Sequence, residues 1–307
     1  MKIVIWLQDF NQNQAEGNGA FLNPALQVLG KLYGDITLIG LIAPPEIGLA
    51  NLRKIDKEEV KNLDYDLILV TCGEIPITKN AQSNFVKVLK EAKTLGIDED
   101  KIVLDRVVVC IPNFTLEKNK KLRHSQLSIL SMNCFGGLCY HRFGLPFLSP
   151  IINMYTSEED FLKLLKDPKN ILNQPLIYQR QEFDKGMKTY FPVFKIGEVE
   201  WYMNHYSDID DAFKKWNDRS SRINWNNLLV MMYTENPKIL AEFDKLPYSK
   251  KVCFVPFKSD LDSAYCIDIS KYQADFSLIV NNIARGWILE CDMWDLLLYG
   301  KKTKLNF

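Results

Sequence analysis

Residues 79–96 read Lys79-Asn80-Ala81-Gln82-Ser83-Asn84-Phe85-Val86-Lys87-Val88-Leu89-Lys90-Glu91-Ala92-Lys93-Thr94-Leu95-Gly96, and they stand between two apolar runs, Leu67–Thr71 and Ile102–Val109. Phe85, Val88, Leu89, Ala92 and Leu95 recur at i, i+3, i+4, i+7 and i+10. That spacing is one stripe of a 3.6-residue period and predicts a helix over 79–95. Gly96 stands where a left-handed C-cap belongs. An apolar run, an amphipathic helix and a second apolar run imply two parallel strands joined by a crossover, normally right-handed. Working outward, Ile3–Leu7 and Ile36–Ile42 continue the pattern towards the N-terminus. Residues 1–112 therefore read as an α/β unit around a mostly parallel sheet.

The chain has 307 residues, 38 Lys+Arg against 38 Asp+Glu, 47% apolar residues and 25% charged ones. That length suggests two domains, and the composition excludes disordered, collagen-like and coiled-coil classes. Zero net charge gives no bulk attraction to phosphate backbones, so no nucleic-acid partner is expected. No apolar run is long enough for a membrane span. The opening Met1-Lys2-Ile3-Val4-Ile5-Trp6-Leu7 meets Gln8 and Asp9 too soon for a secretory signal, so a cytoplasmic location is expected. Cysteines at 72, 110, 134, 139, 253, 266 and 291 are odd in number and lack CxxC spacing. With His124, His141 and His205, which lack the i,i+4 spacing of a helical metal site, they lead to the expectation of no metal.

Around Asn113 the character changes. The polar, basic residues 113–123 read as a linker or surface helix, with a second α/β domain over 124–307. There, Thr156 and Glu159 have capping-box spacing ahead of Phe161, Leu164 and Leu165. Asp208, Asp210 and Asp211 mark a helix start after Ser207, with Ile209, Ala212, Phe213 and Trp216 as its apolar stripe. Asn236-Pro237 reads as N-cap and first helical residue. Leu127–Leu130, Tyr190–Lys195, Val199–Met203, Leu228–Tyr233 and Val252–Val255 read as strands.

Candidate chemistry falls in three places. A dinucleotide fingerprint is expected after the first strand of such a sheet, but Gln8–Gly19 supplies only Gly17 and Gly19 after a polar insertion. They could hold a phosphate or simply form a βα loop. In Ser131-Met132-Asn133-Cys134-Phe135-Gly136-Gly137, a strand feeds a Gly-Gly turn into a helix. Asn133, Gly136 and Gly137 could present donors to an anion, or the glycines could merely admit close helix packing. Cys134 is a nucleophile only if the helix start lowers its pKa. His205, at a strand end before a helix, is a candidate general base with Asp208 as its orienter. Arg219 and Arg222, three apart, offer forked donors for phosphate. Trp201, Trp216, Trp225 and the neighbouring asparagines suit a sugar, or else core packing.

Asn133-Cys134-Phe135-Gly136-Gly137, Tyr140, Phe143-Gly144-Leu145-Pro146 and Ser149-Pro150 resemble a bacterial family of exopolysaccharide and capsule biosynthesis proteins whose reaction is not established. So do His205-Tyr206-Ser207, Lys215-Trp216, Arg219, Arg222-Ile223-Asn224-Trp225 and Phe243-Asp244-Lys245-Leu246-Pro247-Tyr248. The resemblance spans residues 124–257. The front of the chain is similar to the Rossmann-like domains of sugar-modifying enzymes, without their glycine fingerprint.

The resemblance implies a setting in bacterial surface-carbohydrate assembly, and the leading expectation is a transferase-like enzyme acting there on a sugar nucleotide or phosphorylated carbohydrate. In that expectation Asn133, Gly136 and Gly137 hold an anionic group, Arg219 and Arg222 neutralise phosphate, and His205 removes a proton. The alternative is a non-catalytic carbohydrate- or nucleotide-binding protein or assembly factor. Expected partners are a small-molecule carbohydrate or sugar nucleotide and, from the aromatic content, a second copy of the chain. No cofactor is assigned.

Overall fold

The computed structural model describes residues 1–7, 30–31, 34–43, 53–71, 79–104, 108–109, 111–186, 188–206 and 208–305. The loop carrying Gly17 and Gly19 lies outside them. Two compact units are present, residues 1–124 with 141–145, and residues 125–140 with 146–307. Both are α/β.

The first unit contains β1 (Lys2–Leu7), β2 (Thr37–Ile42), β3 (Leu67–Thr71), α1 (Lys79–Thr94), β4 (Ile102–Leu104) and α2 (Leu116–His124). Its sheet has the order β2-β1-β3-β4 and is parallel throughout. Ile3, Val4, Ile5, Trp6 and Leu7 are all buried, the continuous apolar run expected of a central parallel strand covered on both faces. Helix α1 buries Phe85, Val88 and Ala92. Gly96 follows it with φ 70°, and Ile97 N returns to Ala92 O at 2.9 Å.

The run expected as a strand to Val109 is shorter. Among the described residues the strand covers Ile102–Leu104, and Val108 and Val109 lie buried in a turn. Residues 113–123, read as a linker or surface helix, carry most of α2, which buries Asn119 and Leu122. Arg123 Nη1 donates to Glu99 O at 2.7 Å and to Ile102 O at 2.9 Å, with its guanidinium over the Phe85 ring. Those bonds make the basic segment part of the first unit's fold. Gly144 (φ 62°) also packs there. A Cβ on it would meet the Phe85 ring at 2.9 Å.

The second unit opens with β5 (Ser128–Ser131), α3 (Phe135–Arg142), α4 (Glu158–Lys166) and α5 (Pro168–Leu172). It continues through an antiparallel sheet of β6 (Leu176–Asp184), β7 (Thr189–Ile196) and β8 (Val199–Tyr202), then α6 (Ile209–Ser220). The chain returns as β9 (Leu228–Tyr233), α7 (Pro237–Asp244), β10 (Lys250–Val255), β11 (Ala264–Cys266), α8 (Phe276–Arg285) and α9 (Met293–Tyr299). β5, β9, β10 and β11 form a second parallel sheet in that order. Parallel neighbours need a crossover, and here the crossover between β5 and β9 is itself three helices, a hairpin sheet and a fourth helix.

The predicted caps hold with one shift. Asn236 Oδ1 accepts from Lys238 N at 3.0 Å, with Pro237 opening α7. At α4 the cap is Ser157, whose Oγ accepts from Asp160 N at 3.1 Å. Thr156, one residue earlier, donates instead to Glu200 O at 2.6 Å. Trp201, Phe161, Phe194 and Phe243 are fully buried in the second unit's core, and Trp216 is nearly so. Each such side chain contributes ~1.5–3 kcal/mol. Trp201 and Trp216, considered for sugar contact, are therefore core residues. Trp225 is half-buried with Lys169 over its ring.

Candidate functional site

The strand-to-helix turn after β5 is tightly determined. Ser131 Oγ donates to Asn133 O at 2.8 Å and accepts from Gly136 N at 3.0 Å, while Asn133 Oδ1 accepts from Phe135 N at 3.1 Å. Two of the donors expected to face an anion are thus occupied by the chain's own side chains. The glycines answer a packing need. A Cβ on Gly136 would lie 2.9 Å from Ser131 Oγ, and one on Gly137 would lie 2.6 Å from Asn153 Oδ1. Helix α3 consequently passes close to β5 and to the 149–156 loop.

Asn133 itself is the exception. It is 98% buried (relative exposure 2%), and its Nδ2 has no acceptor among the described residues. A buried amide donor left unsatisfied costs ~1–3 kcal/mol, a cost that an added acceptor would relieve. It lies at the carboxyl end of β5, the edge where open α/β sheets bind ligands.

Other groups converge on this edge. Thr156 N donates to Met132 O at 3.0 Å, laying the 149–156 loop against the turn. Tyr233, ending β9, donates its backbone N–H to Met132 Sδ and packs edge-on against Phe276. Thr234 Oγ1 donates to Glu158 Oε2 at 2.9 Å. Half-burial lifts the Glu158 carboxyl above the ordinary carboxylate range; the Thr234 bond opposes this, and Glu159 and Glu235 add to it. Burial raises the Tyr233 phenol as well, against a hydrogen bond with Ser277, and Glu158 and Cys134 are near enough to add to the shift. Cys134 is buried and its thiol is pushed up to about 11, with the Arg285 guanidinium opposing but not overcoming burial. That direction favours the thiol over the thiolate, opposite to the lowered value a nucleophile needs.

The predicted partners divide. Tyr206 OH donates to Ile152 O at 2.9 Å and accepts from Arg219 Nη1 at 2.8 Å, and the Arg219 guanidinium lies 5.0 Å from the Phe147 ring centroid. Cys134 is within electrostatic reach of Tyr206, whose phenol burial raises and Arg219 lowers. Asn133, Tyr206 and Arg219 thus belong to one neighbourhood, and His205 lies next to it on an exposed turn. Asp208, expected to orient His205, caps α6, its Oδ1 accepting from Asp210 N at 2.8 Å.

Arg222 lies past the other end of α6, ~20 Å along the axis from Asp208 at 1.5 Å per residue. It is exposed, and the following Asn224 N bonds to Ser128 Oγ at the opposite edge of β5. Arg222 N donates to Arg219 O at 3.0 Å, so the two residues are neighbours in the backbone, but of the two only Arg219 bonds Tyr206. Glu158, Tyr233 and Arg285 escaped sequence reasoning because each enters through burial or register with residues far along the chain. Among the described residues no His, Cys, Asp and Glu cluster could hold a metal, and no helix is long and apolar enough to cross a membrane.

A family profile, described as Domain of unknown function (DUF1919), matches residues 107–288. An uncharacterized protein of Haemophilus influenzae is 36% identical over 160 residues, 50% of this chain and 73% of that one. The matched span contains Asn133, Glu158, Tyr206, Tyr233 and Arg285, and with more than half of its length inside that profile, the chain belongs to the family described as Domain of unknown function (DUF1919).

Proposed function

We propose that this chain acts in bacterial surface-polysaccharide assembly as a transferase-like protein for a sugar nucleotide or phosphorylated carbohydrate held at the carboxyl edge of the second parallel sheet. The observation that carries this reading is the buried, unpartnered amide of Asn133 at that edge. The polysaccharide setting is supported by the motif resemblance over residues 124–257.

In this reading Asn133 Nδ2 donates to a phosphoryl or sugar oxygen, and Arg285 supplies the positive charge. The acceptor hydroxyl oxygen forms a bond to the donor as phosphate leaves with the electron pair. The hydroxyl proton passes to Glu158, whose raised affinity for protons suits that task, or to His205 on the adjacent turn.

Sugar nucleotides and sugar phosphates should raise the melting temperature by binding only the folded chain. Asn133→Asp keeps the cap acceptor but removes the free donor, and should abolish the shift with folding intact. Phosphorus NMR then reads turnover, which His205→Ala or Glu158→Gln should lower by ~10²–10⁴-fold, whichever residue is the base. A melting temperature unmoved by every donor, or equally moved in Asn133→Asp, overturns the reading. Binding without turnover leaves the non-catalytic alternative.

A further inference from the structure

Close in the chain to the Asn133 edge lies a stacked aromatic pair that ties the 149–156 loop to β8 and stays partly exposed. Tyr155 and Tyr202 exchange both backbone hydrogen bonds, at 3.0 and 2.9 Å, and their rings stack at 4.8 Å and 10°. Arg180 lies over the Tyr202 ring, 5.8 Å from its centroid. It donates to Glu200 Oε1 at 2.9 Å and Glu182 Oε1 at 2.6 Å, and Tyr202 OH donates to Glu200 Oε2 at 3.2 Å. Glu200 is anchored in turn, its N–H donating to Asp160 Oδ2 at 3.0 Å. The network immobilises Tyr202 behind Tyr155, yet Tyr155 remains 37% exposed.

Its surroundings are acidic. One guanidinium faces two carboxylates, and Tyr155 also feels Asp184. A surface of that sign repels phosphate and polyanions. It suits a ring with an apolar C–H face for the tyrosine and hydroxyl donors for the carboxylates. Thr156 N bonds to Met132 O, so Tyr155 and Asn133 each lie one residue from that bond. We propose that Tyr155, backed by Tyr202 and Arg180, is the platform for a neutral pyranose ring of an acceptor glycan, next to the donor end at Asn133. The assignment of this ring as acceptor rests on the function proposed above; the neutral-sugar chemistry does not.

Calorimetric titration of the full chain with chitopentaose and cellopentaose tests it, with a cationic chitosan pentamer and a hyaluronan oligosaccharide as charged probes. At least one neutral probe should bind, with little response to added salt. Tyr155→Leu should weaken it by about tenfold, equal to ~1.4 kcal/mol, while Tyr155→Phe stays within about threefold. Absence of neutral binding, salt-sensitive preference for the cationic probe, or full binding by Tyr155→Leu overturns the platform. The melting response of Tyr155→Leu to sugar nucleotides should persist. A wild-type chain that answers sugar nucleotides but no neutral glycan refutes the platform alone. Tyr155-dependent glycan binding without any sugar-nucleotide response refutes only the donor reading.

Discussion

The two parallel sheets of this chain differ in how they turn strand ends into a place for chemistry. In the first, the order β2-β1-β3-β4 reverses direction beside β1, the arrangement that opens a crevice by topology alone. In the second, β5-β9-β10-β11 runs monotonically and creates no such crevice. Its polar edge is made instead by the long excursion between β5 and β9, which lays the 149–156 loop, Glu158 and Tyr206 around Asn133. A polar edge can thus be built by an insertion rather than by strand order, and fold class alone does not locate it. The described polar groups differ accordingly. Each unit buries one asparagine amide nitrogen without a hydrogen-bond partner among the described residues, Asn119 in the first and Asn133 in the second, but only Asn133 stands at the carboxyl end of a parallel strand.

Substitutions can break or sharpen that contrast. Trp201→Ala should have the largest effect, ~3–5 kcal/mol by urea denaturation, because the indole is wholly buried; a small loss would contradict its place in the core. Gly137→Ala forces Asn153 or the helix to move and should cost ~1–3 kcal/mol. If that variant instead keeps full stability and loses only ligand response, the glycine serves binding rather than packing. Arg219→Ala loses the Tyr206 bond and the Phe147 contact and should cost ~1–2 kcal/mol. Arg222→Ala, exposed beyond α6, should stay within ~0.5 kcal/mol. Equal costs would deny that the two arginines lie in different settings.

The smallest effects are those of pH, and the two units should respond with opposite sign. Hydrogen bonds from His124 and Lys120 hold the Asp100 carboxyl below its ordinary range. Its contribution is present above the unfolded carboxylate value and is lost as pH falls through the lower folded value. Glu158, raised by burial, binds protons more readily when folded, so stability falls as pH rises from the unfolded value through the folded one. Melting temperatures across mildly acidic pH should show Asp100→Asn losing acid sensitivity and Glu158→Gln losing the opposite slope. Identical profiles for both variants would remove this distinction.

Some elements were legible because their signals are local. The α1 stripe, Gly96 and Asn236-Pro237 each involve residues within a few positions of one another, and the structure places all of them as read. Strand β6 was not legible, since most of its side chains are exposed and it has no apolar alternation. The α4 cap slipped by one residue because Thr156 found a better acceptor in Glu200, 44 residues away. Asp208 was readable as a helix starter, and that is its observed bonding.

By itself the sequence determined that this is an α/β chain with a parallel-sheet pattern in its first part, where several helices begin and end, and that the Asn133 turn feeds a helix. Those features follow from backbone periodicity and capping over short spans. Only the tertiary structure decided which polar groups share one edge. Register brings Ser131 opposite Met231, and thereby Asn133 near Tyr233. The same packing brings Arg219 to Tyr206 while Arg222 stays exposed, and it raises the Glu158 carboxyl and the Cys134 thiol, because burial and charge proximity depend on neighbours that chain order does not specify.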